Sequence, residues 1–386
     1  MTNLKHEVIN LTRELVSINS ENPTHDESLV INYLTNLLND WKINYRLQEV
    51  RPGRNNIIAR LEGSGEKAPL LYIAHMDTVP AGDGWTKKPF EPVIEDGKLY
   101  GRGSADMKGG LAAALYALKK VKDSGVAPPG DLMVIATVDE EGPGMLGVAK
   151  LIEEGLVPDD SLVIAPEPSN LEIVRVHKGV IWYELIAHGV MSHGGNAERG
   201  VDANHAIAEA IVELKTVVSA IPFEHELVGK AMVSIGKMNG GEKTNVVPSY
   251  ARAEVDLRII PPFTVADANM LVNKAVSRAA ERVKGSSIEV NNLGLQRGPV
   301  ETSSDSAVVK ALQRAYRSIA GKDPDIAGFT AYTDAGLISL HMDHKNAVVF
   351  GPGNLQQAHS IDEWIDIDQL CLCAEIFTWL AANRLD

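Results

Sequence analysis

The sequence predicts an α/β/α sandwich with a central, mainly parallel sheet, interrupted by a smaller ferredoxin-like α+β domain. Apolar strand-like runs alternate with helices towards both ends of the chain. Between them the order changes to β-α-β-β-α-β, the ferredoxin-like pattern. At 386 residues the chain has room for two domains, each with a well-buried core.

Leu4, Val8, Leu11 and Leu15 recur at helical spacing, and a second helix fits Asp26 to Trp41 beyond the Asn22-Pro23 break. Short strands fit Asn56 to Leu61 and Leu70 to Ala74. The Ala/Leu-rich stretch after Lys108 reads as a helix and Leu132 to Val138 as a buried strand. A helix after Leu146 and a strand from Leu162 to Ile164 follow. The texture changes at His177-Lys178-Gly179. Val180 to Ala187 is a strand, Val201 to about Ser219 a helix, and Lys230 to Lys237 and Val246 to Ile260 are strands. A helix begins near Thr264, and a last strand covers Ser287 to Leu295. Alternation then resumes with a helix from Asp305, a strand Ala347 to Phe350 and a helix from Asp366. The expected boundaries are 1–177 and 297–386 for the main domain and 178–296 for the insert.

Hydrophobic content of 45% and charged content of 23% place the chain among ordinary globular proteins. A net charge of −14 argues against nucleic acid as a partner, because phosphate binding needs a basic surface. Cys371 and Cys373, two apart on a helix, point in different directions and are not expected to form a disulfide. The N-terminus lacks an apolar signal core, and no stretch is apolar enough to span a bilayer. The expectation is a reducing, cytoplasmic setting with no membrane partner.

The chemistry is concentrated in two stretches, His75-Met76-Asp77-Thr78-Val79-Pro80 and Gly101-Arg102-Gly103-Ser104-Ala105-Asp106-Met107-Lys108-Gly109. Glu140-Glu141, Glu167 and His359 recur at similar strand ends. Taken singly, each has an ordinary reading: a hydrogen-bonded His-x-Asp pair, solvated turn carboxylates, a surface histidine. Gly101-x-Gly103 also suggests a nucleotide loop, but the fingerprint's third glycine would fall at Asp106, whose charge would repel a pyrophosphate. Jointly, imidazoles and carboxylates at the carboxyl ends of successive strands are what a two-metal hydrolytic site requires.

These motifs, with Val138-Asp139-Glu140-Glu141, Glu167-Pro168-Ser169 and Ala358-His359-Ser360, resemble the dinuclear zinc amidohydrolases. That family includes aminoacylase, acetylornithine deacetylase, succinyl-diaminopimelate desuccinylase and glutamate carboxypeptidase, and the resemblance covers essentially the whole chain. It implies a catalytic domain in two parts and an inserted dimerisation or lid domain. It also implies two Zn2+ per chain, with Co2+ or Mn2+ as substitutes. His75 and Glu167 would hold one ion and Glu141 and His359 the other, with Asp106 bridging. Asp77 would orient His75, and Glu140 would be the general base. A cis Asp106-Met107 bond is expected on the same ground.

In the insert, Gly189-Val190-Met191-Ser192-His193-Gly194-Gly195 resembles the loop whose histidine enters the partner subunit's site; a structural histidine beside a glycine turn is the other reading. Asn245, in Thr244-Asn245-Val246-Val247-Pro248, would contact the tetrahedral intermediate. Arg258 would grip a substrate carboxylate, or is a salt-bridged strand residue. The implied activity is hydrolysis of N-acyl-L-amino acids by a homodimer. A carboxypeptidase or dipeptidase of the same family and a non-catalytic binding relative are the alternatives. Two departures bear on the substrate. Desuccinylases carry an arginine pair where this chain has His177-Lys178-Gly179. They carry Thr-Ser-Asp-Gly-Arg where it has Tyr332-Thr333-Asp334-Ala335-Gly336, which argues against a strict desuccinylase.

Overall fold

The computed structural model describes residues 2–24, 26–142, 144–343 and 345–383. The chain forms two compact units: Met1–Arg175 with Thr302–Ala327 and Thr333–Asp386, and Val176–Glu301 with Gly328–Tyr332.

A sheet of the first unit runs in the order Asn44–Arg51, Arg54–Leu61, Leu132–Thr137, Leu70–His75, Leu162–Ala165, Ala347–Val349, Ile173–His177, the last strand leaving the unit after Arg175. The four strands from Leu132–Thr137 to Ala347–Val349 pair in parallel, while the margins are antiparallel. Every residue of Leu70–His75 and Leu162–Ala165 is buried. This is the continuous apolar texture of a parallel strand covered on both faces. Leu70, Tyr72 and Ala74 point into one core with helices Thr2–Ser17, Gly109–Ser124, Ala307–Ala320 and Ile367–Asn383. The Tyr72 hydroxyl donates to the Phe377 carbonyl at 3.0 Å, pinning the last of these helices to the sheet. Leu71 and Ile73 alternate to the opposite face, where Asp334–Ser339 packs on the sheet and Leu146–Glu153 packs on that helix. The result is an α/β/α sandwich.

The second unit has an antiparallel sheet in the order Met232–Gly240, Tyr250–Ile259, Gly179–His188, Ser287–Arg297. Helices Ala203–Ser219 and Val265–Arg282 pack on one face. Numbered along the chain this order is two-three-one-four, the ferredoxin-like arrangement. Ile181, Tyr183, Leu185 and Ala187 are buried while Trp182, Glu184, Ile186 and His188 are partly exposed, as period-two alternation requires of a one-sided sheet. Asp202 caps the first helix through Asn204 N and His205 N, and Thr264 and Asp267 form a capping box on the second.

Two differences from the sequence reading have local causes. The strand expected over Val246 to Ile260 breaks: Val246–Val247 pairs with Ser192–His193, and the sheet strand begins only at Tyr250. Pro248, which has no N–H to give a ladder, sits at the break, and its carbonyl accepts Ala203 N instead. The strand Asn44–Arg51 escapes sequence reading because it is an edge strand with one buried residue, the polar Gln48. It is held by a hairpin whose turn contains Gly53 at φ 81°. Both cysteines are free. Among the described residues no helix is long and apolar enough to cross a membrane.

Candidate metal centre

Parallel strands present their carboxyl ends along one edge of the first unit, and open α/β sheets use that edge for ligands. His75 closes Leu70–His75, Glu140 and Glu141 follow Leu132–Thr137, and Glu167 follows Leu162–Ala165. Asp106 lies in the tight turn Ser104–Lys108, entered through Gly103 at φ 82° and containing a cis Asp106-Met107 bond, as expected. His359, itself at φ 61°, comes from the loop after Leu355–Gln357.

These residues converge. One ligand atom from each of His75, Asp106 and Glu167 falls within 4.8 Å of the others, and so do those of Asp106, Glu141 and His359. A third such group is His75, Glu140 and Glu141. Asp106 turns one oxygen to each imidazole: Oδ1 lies 3.1 Å from His75 Nε2 and Oδ2 3.4 Å from His359 Nε2. Glu167 Oε1 and Glu140 Oε2 lie 3.8 and 3.9 Å from His75 Nε2, and Glu141 Oε1 lies 3.1 Å from His359 Nε2.

The electrostatics show what the cluster lacks. Burial, followed by repulsion from Glu167, Asp334 and Glu141, pushes the Glu140 carboxyl well above its usual range. Burial and Asp106 push Glu167 well above its range as well, and raise Glu141. Burial disfavours charge on His75, yet Glu167, Asp106 and Glu140 outweigh it and raise its pKa. Bonds to Asp106 and Glu141 lift His359 to about 10. Burial opposes ionisation of Asp106, but the two histidines hold its carboxyl below the usual range. Buried carboxylates that must borrow protons or recruit imidazolium are short of positive charge. A nitrogen–oxygen donor set with that deficit fits divalent cations such as zinc, cobalt or manganese.

Asp77 differs from expectation in its contacts. His75 Nδ1 lies 2.9 Å from the carbonyl oxygen of Asp77, while the carboxylate Oδ1 is 3.6 Å away. That carboxylate accepts instead from Glu140 N, Glu141 N and Asn22 Nδ2, at 3.2, 3.2 and 2.9 Å. The main chain of Asp77 therefore orients the imidazole, and its side chain orients the pair of acids.

Asn22 Nδ2 also donates to Asp139 Oδ1 at 3.0 Å, and Arg54 joins Asp139 to the buried Glu27. Asp334 is buried too, accepts from Thr137 Oγ1 at 2.8 Å, and its charge raises Glu140 and Glu167. Sequence reasoning assigned no role to these residues. The one available signal was that Asp139 and Asp334 stand inside the motif stretches.

His193, Asn245 and Arg258 belong to the second unit. His193 is exposed, pairs across a short ladder with Val246, and its Nδ1 accepts from Gly195 N at 3.0 Å. Gly194 N donates to the Asn245 carbonyl at 2.7 Å, so the His193 and Asn245 loops form one structure. Arg258 forks onto Asp256, Nε to Oδ1 at 2.8 Å and Nη2 to Oδ2 at 3.0 Å. Arg258 is thus in an ion pair with a residue of its own strand.

A family profile described as Peptidase family M20/M25/M40 matches residues 71–383, and the chain belongs to that family. It is a metal-dependent hydrolase acting on small-molecule substrates. Among its relatives, a probable succinyl-diaminopimelate desuccinylase of Staphylococcus epidermidis is 30% identical, with 96% of this chain and 95% of the relative covered. An acetylornithine deacetylase of Erwinia tasmaniensis is 31% identical, with 93% and 92% covered. The aminopeptidase PepT of Bacillus cereus has the same fold, at a TM-score of 0.80 and 23% identity over 98% of both chains.

Proposed function

We propose that this chain is a dinuclear, zinc-dependent amidohydrolase that cleaves N-acyl-L-amino acids into a carboxylate and a free amino acid. The observation that carries it is the single Asp106 carboxylate facing His75 with one oxygen and His359 with the other. His75 and Glu167 would hold one ion, Glu141 and His359 the second, with Asp106 shared between them. Three ligand carboxylates against four positive charges leave a net cationic centre. When bound, the ions would supply Lewis-acid polarisation of the amide carbonyl and acidify water near neutral pH.

The chain's own residues do the rest. Glu140 lies beside His75 but is left over once each ion has its imidazole and carboxylate. Its carboxylate, largely buried and 3.9 Å from His75 Nε2, would take a proton from attacking water and then release it. The proton goes to the amine nitrogen as the C–N bond breaks. Asp77, by accepting the Glu140 and Glu141 amides, keeps base and ligand in register. In a homodimer, His193 of one copy would donate to the developing oxyanion in the other, with Asn245 beside it. Arg258, whose Nε and Nη2 bond Asp256 and whose Nη1 donates to the Thr330 carbonyl at 3.4 Å, would have to exchange these partners to grip a substrate carboxylate in bidentate fashion.

Desuccinylation and deacetylation in the names of the two relatives support deacylation over peptide cleavage. The test is a panel of N-acetyl, N-succinyl, N-formyl and N-aminoacyl amino acids offered to zinc-loaded, cobalt-loaded and chelator-stripped protein. Turnover of N-acyl substrates only in the metal-loaded forms is expected. Preference for N-aminoacyl substrates makes the protein a dipeptidase or carboxypeptidase, and full turnover by stripped protein overturns the reading.

A further inference from the structure

Glu363 lies four residues beyond His359 in the first unit and is completely buried. Its carboxylate accepts four hydrogen bonds. Oε1 takes Ala105 N at 2.9 Å and Asp106 N at 3.0 Å, and Oε2 takes Gly103 N at 3.0 Å and Arg102 Nη1 at 2.7 Å. A carboxylate has about four lone-pair sites, so this one is saturated. The backbone from Gly103 to Asp106 thus turns three N–H groups inward around one point, a concavity of the kind that binds anions. Here the chain's own glutamate fills it.

The arrangement does more than bury an ion pair. A buried pair by itself contributes little, because desolvation offsets attraction. What is specific here is that Oε1 holds the amide of Asp106, the residue whose side chain faces both imidazoles. The other end of Glu363 is anchored as well. Its carbonyl accepts Gly101 N at 2.9 Å, and neighbouring Asp362 accepts Thr86 N, Thr86 Oγ1 and Lys87 N at 2.9, 2.7 and 3.1 Å. The segment carrying His359 is therefore tied through Glu363 to the turn carrying Asp106, residues more than 250 apart in sequence.

We infer that Glu363 is a positioning residue of the metal centre: by gathering the Gly103, Ala105 and Asp106 amides it sets the Asp106 carboxylate against His359. This rests on the two-ion reading above. Glu363→Gln keeps the shape but turns an NH2 group towards two donors, so it removes bonds and adds repulsion. Glu363→Asp keeps the charge but withdraws it by one methylene.

The test measures zinc stoichiometry and affinity of both variants by chelator competition, alongside unfolding of the zinc-free proteins. Glu363→Gln should weaken binding of at least one ion by about 10–100-fold, the usual effect of losing a group that orients a ligand. Glu363→Asp should recover part of the loss. The control is Glu213→Gln, which removes a buried carboxylate paired with Arg278 and Arg282 in the second unit. It should lower stability and leave zinc affinity unchanged. Zinc affinity within twofold of wild type in Glu363→Gln overturns the inference, as does failure of both Glu363 variants to fold, which would make the residue a folding determinant. Wild-type protein that binds fewer than two ions overturns the two-ion reading and this inference together.

Discussion

Gly110→Ala sets two known effects against each other. Gly110 lies in the first turn of the helix Gly109–Ser124, where alanine is favoured over glycine by about 1 kcal/mol. A Cβ there, however, would stand 1.9 Å from the Pro166 carbonyl oxygen and 2.8 Å from Pro166 Cβ. On the far side, a Cβ on Gly351 would stand 2.4 Å from the same carbonyl and 2.5 Å from Glu167 O. The Pro166-Glu167 peptide is thus clasped between two glycines, and it carries the carboxylate that faces His75. Backbone atoms cannot rotate away, so the gap must open from 1.9 Å to the 3.4 Å of ordinary contact, a shift of roughly 1.5 Å. Overpacking of this kind costs about 1–3 kcal/mol or more, which outweighs the propensity gain. The net destabilisation expected is up to about 2 kcal/mol. Moving Glu167 by more than an ångström should also lower kcat by about 10²-fold. Urea unfolding, zinc content after dialysis and kcat on an N-acyl substrate are the assays. The control is Gly236→Ala, where a Cβ meets nothing within 4 Å. If Gly110→Ala is instead stabilised by the propensity term and keeps full zinc and activity, the clasp does not position Glu167.

Removing the base in Glu140→Ala should lower kcat by at least ~10²-fold with zinc content intact, whereas loss of zinc would make Glu140 a ligand. His193→Ala should keep fold and metal and lose about 10²–10³-fold in kcat. Mixing it with Glu140→Ala under verified subunit exchange should restore activity approaching half of wild type per heterodimer, and no restoration would place His193 outside the partner's site. His177 is buried, and burial lowers its pKa from 6.5 to about 4, so the unfolded chain binds the extra proton between those values. Its contribution is present above pH 6.5 and is lost as pH falls towards 4, a swing of about 3 kcal/mol. His177→Gln should flatten that part of the stability profile in paired urea titrations, and an unchanged slope would show that His177 is not its source.

Sequence alone carried the alternation of strands and helices, the ferredoxin-like order of the insert and the donor types at the strand ends. Each of these is a local signal, because a period of two or 3.6 and a turn after an apolar run are written within a few neighbouring residues. Tertiary structure decided how the donors meet. That Asp106 faces His75 with one oxygen and His359 with the other follows from loops brought together by sheet order, with no counterpart in local spacing. The same holds for Asp77, whose carboxylate serves the Glu140 and Glu141 amides while its carbonyl serves His75. It holds also for the edge strand Asn44–Arg51, polar in sequence and held by its neighbour. Glu363 shows the limit most clearly. An acid four residues after a histidine carries no periodic signal, and its part in the molecule exists only where the folded chain turns three distant amides onto its two oxygens.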